Sequence, residues 1–305
     1  MPRQVRFDHY GPVDVLQVDE VDKPVPADDQ VLVAVRAAGI NPFDAKLHSG
    51  FFESSFSVSF PAPQGTDVAG VVEAVGPGVT EFAPGDEILG STGKRGAQAD
   101  YALVPQKTAL KRPPSVSWEV AGGFWTVACA ASALVRAAGV GAGDNVLVSG
   151  SGGVGGTACQ LARLKGANVI CVTAEDAHDW LRSFGVIPLA FGDGVKERIT
   201  AALAGAALNA VMDTAGHGYV QLGIELGVAP DRIDTIVDFS AAEQVGAKTD
   251  GADAAGKPEA AEVLELVAAG KLDLPVHASY PLDQVREAYT ELEQRHPQGK
   301  IVIVP

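Results

Sequence analysis

Short apolar runs alternate with amphipathic ones through the second half of the chain. Asn145 to Ser149 (N-V-L-V-S) is a short apolar run of the kind a buried strand needs, and it leads into a glycine-rich turn. Over Val154 to Lys165 the positions of Val154, Leu161 and Leu164 fall on one helical face, with Gly166 placed as the C-cap. A strand over Asn168 to Thr173 and a helix over Ala177 to Phe184 come next. Ala210 to Thr214 and Asp234 to Phe239 read as further strands, and Pro258 to Ala269 as a helix. This alternation predicts an α/β fold built on a doubly wound parallel sheet.

The first third has another texture. Val31 to Val35 and Val68 to Val75 are apolar or alternating runs bounded by Gly, Pro and Asp, with turn chemistry at Gly76 to Val79 and Pro84 to Glu87. That pattern is β-rich, and an apolar helix over about Glu119 to Ala138 marks the change. The tail supplies a strand-like segment and an amphipathic helix within His277 to Glu293, then a closing strand, Lys300 to Val304. Gly246 to Lys257, rich in Gly, Ala and Asp, reads as an exposed loop.

With 305 residues, 47% hydrophobic and 20% charged, the chain suits two domains with sizeable cores. Its net charge of -15 and lack of any basic block disfavour nucleic acid as a partner. The longest uncharged run, Val120 to Val135, falls short of the ~20 apolar residues of a membrane span, so no membrane partner is expected. Met1 to Pro12 contains no apolar signal segment, and the expectation is a soluble, cytoplasmic protein. Cys129, Cys159 and Cys171 lack C-x-x-C spacing, which suits a reducing compartment and draws neither disulfide nor zinc knuckle. Cys159 and Cys171 read as core filling.

Gly150-Ser151-Gly152-Gly153-Val154-Gly155 fits G-x-G-x-x-G between an apolar strand and a helix, with a second strand within about 30 residues. The first glycine serves the tight turn, the second lets backbone approach a pyrophosphate, and the third lets helix pack on strand. The alternative is a bare structural turn. At the end of the second strand, where an NAD site usually carries Asp or Glu, stand Thr173 and Ala174, with Glu175 and Asp176 slightly late. A small neutral residue leaves room for a 2′-phosphate and favours NADPH over NADH. No Arg or Lys follows immediately to pair it; His178 and Arg182 are the nearest bases.

Several motifs now converge: Ala37 to Gly50 (A-A-G-I-N-P-F-D-A-K-L-H-S-G), Gly65 to Val79 (G-T-D-V-A-G-V-V-E-A-V-G-P-G-V), Pro84 to Asp86, the glycine turn, and Gly299 to Pro305 (G-K-I-V-I-V-P). In this order they resemble the medium-chain dehydrogenase/reductase superfamily, and within it the zinc-independent quinone oxidoreductase, or zeta-crystallin-like, branch. The resemblance covers essentially the whole chain. It implies a GroES-like β-barrel catalytic domain from residues 1–116 and 270–305, interrupted by a Rossmann domain over 117–269, with the active site in the cleft between them. It also implies a homodimer, for which Ile233 to Phe239 is the candidate sheet edge.

Zinc-dependent relatives use Cys where this chain has Asn41, His-Glu where it has Thr66-Asp67, and a third ligand near Trp125. None of Asn41, Thr66 or Trp125 supplies the Cys/His set of a catalytic zinc, and the Cys-rich structural lobe is missing, so no zinc is expected. Reduction of a conjugated acceptor does not need that Lewis acid. The resemblance places Asn41 at the nicotinamide and substrate end, as a hydrogen-bond donor to developing charge; the other reading is an Asn-Pro turn capping a short helix. Asp44 reads as a cap for that helix. Lys46 and His48 are candidate proton donors or acceptor-binding groups, or else ordinary charged surface.

Further cofactor contacts follow from the same resemblance: Cys129 in the place of a Thr near the nicotinamide, where a buried structural Cys is the equal alternative, Thr214 and Ala215 in a turn under its ribose, and Phe239 at a strand end facing the ring. Phe51, Phe52 and Phe56 suggest an apolar or aromatic acceptor, or plain loop packing. V-A-P-D-R at Val228 to Arg232 stands where relatives carry K-P-G-G. The implied activity is NADPH-dependent hydride transfer to a quinone or α,β-unsaturated carbonyl. An enoyl-thioester reductase and a non-catalytic NADPH-binding protein are the alternatives.

Overall fold

A computed structural model of the chain describes residues 1–54, 58–252, 255–295 and 298–305. Two compact units emerge, one from residues 1–126 with 275–305 and one from 127–274, so the chain changes unit several residues later than Ser117 and Ala269. Among the described residues no helix is long and apolar enough to cross a membrane.

The 127–274 unit is a five-stranded parallel sheet. Its spatial order is Ile187–Ala190, Asn168–Thr173, Asn145–Ser149, Ala210–Asp213, Ile233–Thr235, so the first strand in sequence is central and the order reverses beside it. That is the Rossmann order, whose strand ends at the reversal bound a ligand crevice. The strands read as continuous apolar runs because both faces are covered. Val146 and Val148 pack with Leu134, Ala158 and Leu181 on one face. Leu147 points the other way, in register with Ile170 and Val211, into a core shared with Ile199, Val220 and Ile233. Each large side chain buried this way contributes roughly 1.5–3 kcal/mol.

The other unit is antiparallel β for the most part. Gln30–Gly39 is its organising strand, pairing with Asp67–Val75, Tyr101–Pro105 and Lys300–Val304. The tail returns through Val276–Pro281, crosses over by the helix Val285–Arg295, and adds Lys300–Val304 parallel to it. The pairing of Lys300–Val304 with Gln30–Gly39 brings the chain's last residues against Gly39 and Ala38.

Several expectations need correction. The long apolar helix is two helices, Trp118–Gly122 and Trp125–Ala137. A Cβ on Gly122 would lie 2.6 Å from that of Ala37, and one on Gly123 would lie 3.1 Å from the Lys300 stem, so close approach of backbone sets the break. The second helix then begins against Asp67, whose Oδ1 accepts from the Thr126 N–H and hydroxyl.

The last Rossmann strand stops at Thr235 rather than Phe239. Thr235 Oγ1 accepts from the N–H groups of Val237 and Asp238, and Asp238 caps the helix Phe239–Val245 by accepting from the Ala241 N–H. D-T-I-V-D-F has strand-like alternation, but its Thr and Asp bend it locally. Lys248 bonds along that strand, its N–H to Ile233 O and its carbonyl to the Thr235 N–H.

The segment expected as an exposed loop is therefore partly structural: Gly251 is buried and donates to Asp234, while Asp253 and Ala254 lie outside the described residues. V-A-P-D-R acquires a structural role. Arg232 donates to Asn209 O and Gly139 O and pairs with Asp144, tying together the starts of neighbouring strands.

Candidate functional site

In the 127–274 unit the glycine turn closes Asn145–Ser149. Gly150 adopts φ 84° and donates its N–H to Val172 O. Gly155 must be glycine, because a Cβ there would lie 2.2 Å from Gly150 O. Gly152 has the opposite character: a Cβ would meet nothing within 4 Å. It is the N-cap of the helix Gly153–Leu164 and offers no side-chain cap to the first N–H groups. An open, side-chain-free helix N-terminus of this kind fits a pyrophosphate. Val154 is half-buried behind it, packed on the core of the sheet.

Ser151 and Thr173, both buried, share a 2.6 Å hydroxyl–hydroxyl bond that joins the turn to the end of the neighbouring strand. Beyond Thr173 the charges are negative. Glu175 and Asp176 are exposed, whereas Arg182 is ion-paired to Asp179 at 2.7 Å.

Asp213 anchors the adjoining strand end. Its Oδ1 accepts from the Ser149 hydroxyl and from the Ala215 and Gly216 N–H groups, and its Oδ2 accepts from Thr235 Oγ1. Thr214 adds a bond from its hydroxyl to Ser149 O. One enclosed carboxylate thus holds three strand ends and leaves Ala215 exposed at the tip. Phe239 stands 49% exposed in the first turn of its helix, not at a strand end. Cys129 is fully buried with Sγ 3.9 Å from Gly256 O, a structural placement instead of an open cofactor contact.

In the other unit Asn41 precedes the helix Pro42–His48, but its side chain does not cap it. Asp44 does that work, accepting the Asn41 N–H at 2.9 Å. The Asn41 carboxamide turns elsewhere: Oδ1 accepts from Lys300 Nζ at 2.6 Å, and Nδ2 donates to Asp67 Oδ2 at 3.1 Å. Lys300 Nζ also donates to Ile40 O. Asn41, Asp44, Asp67 and Lys300 are all at most 5% exposed.

Burial holds the Lys300 ammonium below its ordinary pKa, against the pull of Asp67 and Asp44. Burial also pushes the Asp44 carboxyl up to about 7; its bond from Asn41 opposes the rise, the Asp67 charge adds to it, and Lys300 and Arg95 offset it.

His48 is not available to an acceptor. Its ring is fully buried between Phe7 and Tyr289, centroids 6.4 and 5.3 Å away, with Nδ1 3.2 Å from Gly11 O. Burial lowers its pKa below the usual imidazole value. Lys46 lies over the Phe51 ring, Nζ 5.4 Å from the centroid. Phe51 is 69% exposed and meets Phe52 edge-on, and Phe52 stacks on Phe43 at 5.2 Å. Phe43 joins this aromatic group unanticipated, while Phe56 lies outside the described residues.

The candidate set read from sequence lacks Lys300, Asp67, Thr126 and Asp213. For Lys300 and Asp213 the signal is a charged residue at the end of an apolar strand, as in K-I-V-I-V and A-V-M-D. Among the described residues no group of three His, Cys, Asp or Glu is placed to hold a metal ion.

Comparison with known proteins matches residues 27–114 to the alcohol dehydrogenase GroES-like domain and residues 193–303 to the zinc-binding dehydrogenase family. The quinone oxidoreductase of Pseudomonas syringae pv. Tomato DC3000 superposes with a TM-score of 0.85 at 26% identity, covering 100% of both chains. The chain belongs to the medium-chain dehydrogenase/reductase superfamily. Within the superfamily it is 38% identical to the Homo sapiens quinone oxidoreductase over 171 residues, 55% of this chain and 51% of that protein. The match thus spans about half the length of the first curated relatives. The chloroplastic NADPH-dependent alkenal/one oxidoreductase of Arabidopsis thaliana is 29% identical over 100% of this chain and 81% of its own.

Proposed function

We propose that the protein is a zinc-independent reductase that uses NADPH to reduce a small apolar or aromatic acceptor, a quinone or an α,β-unsaturated carbonyl. The observation that carries this reading is the glycine turn: open space at Gly152 before a helix N-terminus that no side chain caps. A bare structural turn would have no need to keep that face clear. Gly152 and Gly153 offer N–H groups to a pyrophosphate, Ser151 and Thr173 bound the ribose side, and the Asp213-held turn at Thr214 and Ala215 supports the nicotinamide ribose. The relative named as NADPH-dependent favours the phosphorylated cofactor.

When bound, the reduced nicotinamide supplies a hydride to an electrophilic carbon of the acceptor. Asn41 donates an N–H to the acceptor oxygen, where negative charge develops. With His48 enclosed, water supplies the proton that completes the reduction. Asn41, Thr66 and Trp125 offer an amide, a hydroxyl and an indole where a catalytic zinc needs Cys or His, so the reading assigns no step to a metal. Phe43, Phe51 and Phe52 present an aromatic surface suited to a flat acceptor.

The test is to load the protein with NADPH, add a panel of quinones and enones with a chelator present, and follow nicotinamide absorbance. Oxidation matched mole for mole by acceptor reduction is expected. Turnover confined to enoyl thioesters would favour the biosynthetic alternative, and no oxidation across the panel would leave a cofactor-binding protein without turnover.

A further inference from the structure

Amide oxygen and nitrogen have nearly the same size, so the orientation of an asparagine is decided by what surrounds it. Around Asn41 the surroundings have opposite sign. The Lys300 ammonium only donates and lies 2.6 Å from Oδ1; the Asp67 carboxylate accepts and lies 3.1 Å from Nδ2. Turning the amide over would set N–H against ammonium and carbonyl oxygen against carboxylate.

The remaining bonds are largely committed. Lys300 also holds Ile40 O, and Asp67 Oδ1 accepts from the Thr126 N–H and hydroxyl. Among the described residues the second N–H of Asn41 has no such partner. The fold makes room for this arrangement, since Gly123 has no side chain where the Lys300 stem passes. Two buried charges of opposite sign, joined only through an amide, are seldom worth more to stability than apolar packing of the same volume, which argues for another use here.

We propose that Lys300 and Asp67 are positioning residues, a clamp of opposite charges that fixes the Asn41 carboxamide so that its second N–H is presented to the acceptor oxygen. The acceptor's part in this rests on the functional reading above; the clamp itself does not.

The experiment uses the full chain, 15N-labelled, with the Asn41 side-chain NH2 pair assigned by its loss in Asn41→Asp. In the wild type that pair is expected to exchange slowly with solvent. Lys300→Met and Asp67→Asn, each removing one jaw, are expected to speed its exchange at least tenfold. In steady-state kinetics the same variants are expected to lower kcat at least tenfold while the KM for NADPH stays within about threefold, and Lys300→Arg to recover most of kcat. If Lys300→Met does not fold, Asp67→Asn carries the same test. An unchanged Asn41 pair in a folded variant overturns the clamp, and so does a disrupted pair with unchanged kcat. Should the wild type reduce no acceptor, the functional reading falls, and the clamp is still judged by the Asn41 signals.

Discussion

Asp213 and Ser149 end neighbouring parallel strands, and the Ser149 hydroxyl donates to the Asp213 carboxylate while accepting the Thr214 and Ala215 N–H groups. One hydroxyl therefore couples the end of the first Rossmann strand to the turn beyond the fourth in sequence. Ser149→Ala leaves a fully buried carboxylate short of a donor, a loss of about 1–3 kcal/mol. Denaturant titration is expected to show that loss, with weaker NADPH binding alongside it. Binding unchanged in a destabilised variant would separate the strand ends from the cofactor turn.

Two glycines of one motif should fail differently. Gly155→Ala puts a Cβ 2.2 Å from Gly150 O and should lower both melting temperature and cofactor affinity. Gly152→Ala meets no protein atom within 4 Å, and its φ of -60° is open to any residue. It should leave melting within a few degrees yet weaken NADPH at least tenfold, because the new methyl enters the open space that the proposed function assigns to the phosphates. Calorimetry and a binding titration on both variants decide this.

Asp44 makes stability depend on pH. Its carboxyl sits at about 7 in the fold against an ordinary value of 3.8, so the folded protein holds a proton there that the unfolded chain has released. That contribution is fully present below about pH 4 and is lost as pH rises through 7. Asn at this position keeps an acceptor for the Asn41 N–H and cannot ionise. Denaturation midpoints of Asp44→Asn should therefore fall less between pH 4 and 8 than those of the wild type; parallel profiles would contradict the assignment.

If the cofactor is NADPH, as proposed, the exposed Glu175 and Asp176 oppose its 2′-phosphate at the ribose end of the turn. Glu175→Gln with Asp176→Asn is expected to tighten NADPH about two- to fivefold, as screened surface charges do, and to leave NADH nearly unchanged. The gain should shrink in high salt. A loss of NADH affinity instead would mean that one carboxylate holds the ribose hydroxyls.

Much of this architecture is legible in the sequence because it rests on local rules. Val146 to Val148 is apolar at every position since both sheet faces are covered, and Gly150 to Gly155 states its geometry in glycines. Legibility failed where distant groups override local pattern. Alternation reads D-T-I-V-D-F as strand, yet Thr235 and Asp238 bond their own backbone and end it early. Glu119 to Ala138 reads as one helix, yet Gly123 makes way for Lys300, a residue 177 positions away. His48 looked chemical in sequence, but Phe7 and Tyr289 enclose it. The Asn41 clamp draws on residues 41, 67, 126 and 300, a set that no spacing rule connects.

The most direct test of the account is a titration of the cofactor-free protein with NADPH, and separately with NADH, followed by nicotinamide fluorescence, with Gly152→Ala as the control. Saturable NADPH binding at one site per chain, weaker NADH binding, and loss of NADPH binding in Gly152→Ala are expected. Binding of neither nucleotide, or NADPH binding that Gly152→Ala leaves intact, would contradict the assignment of the glycine turn and the reductase reading built on it.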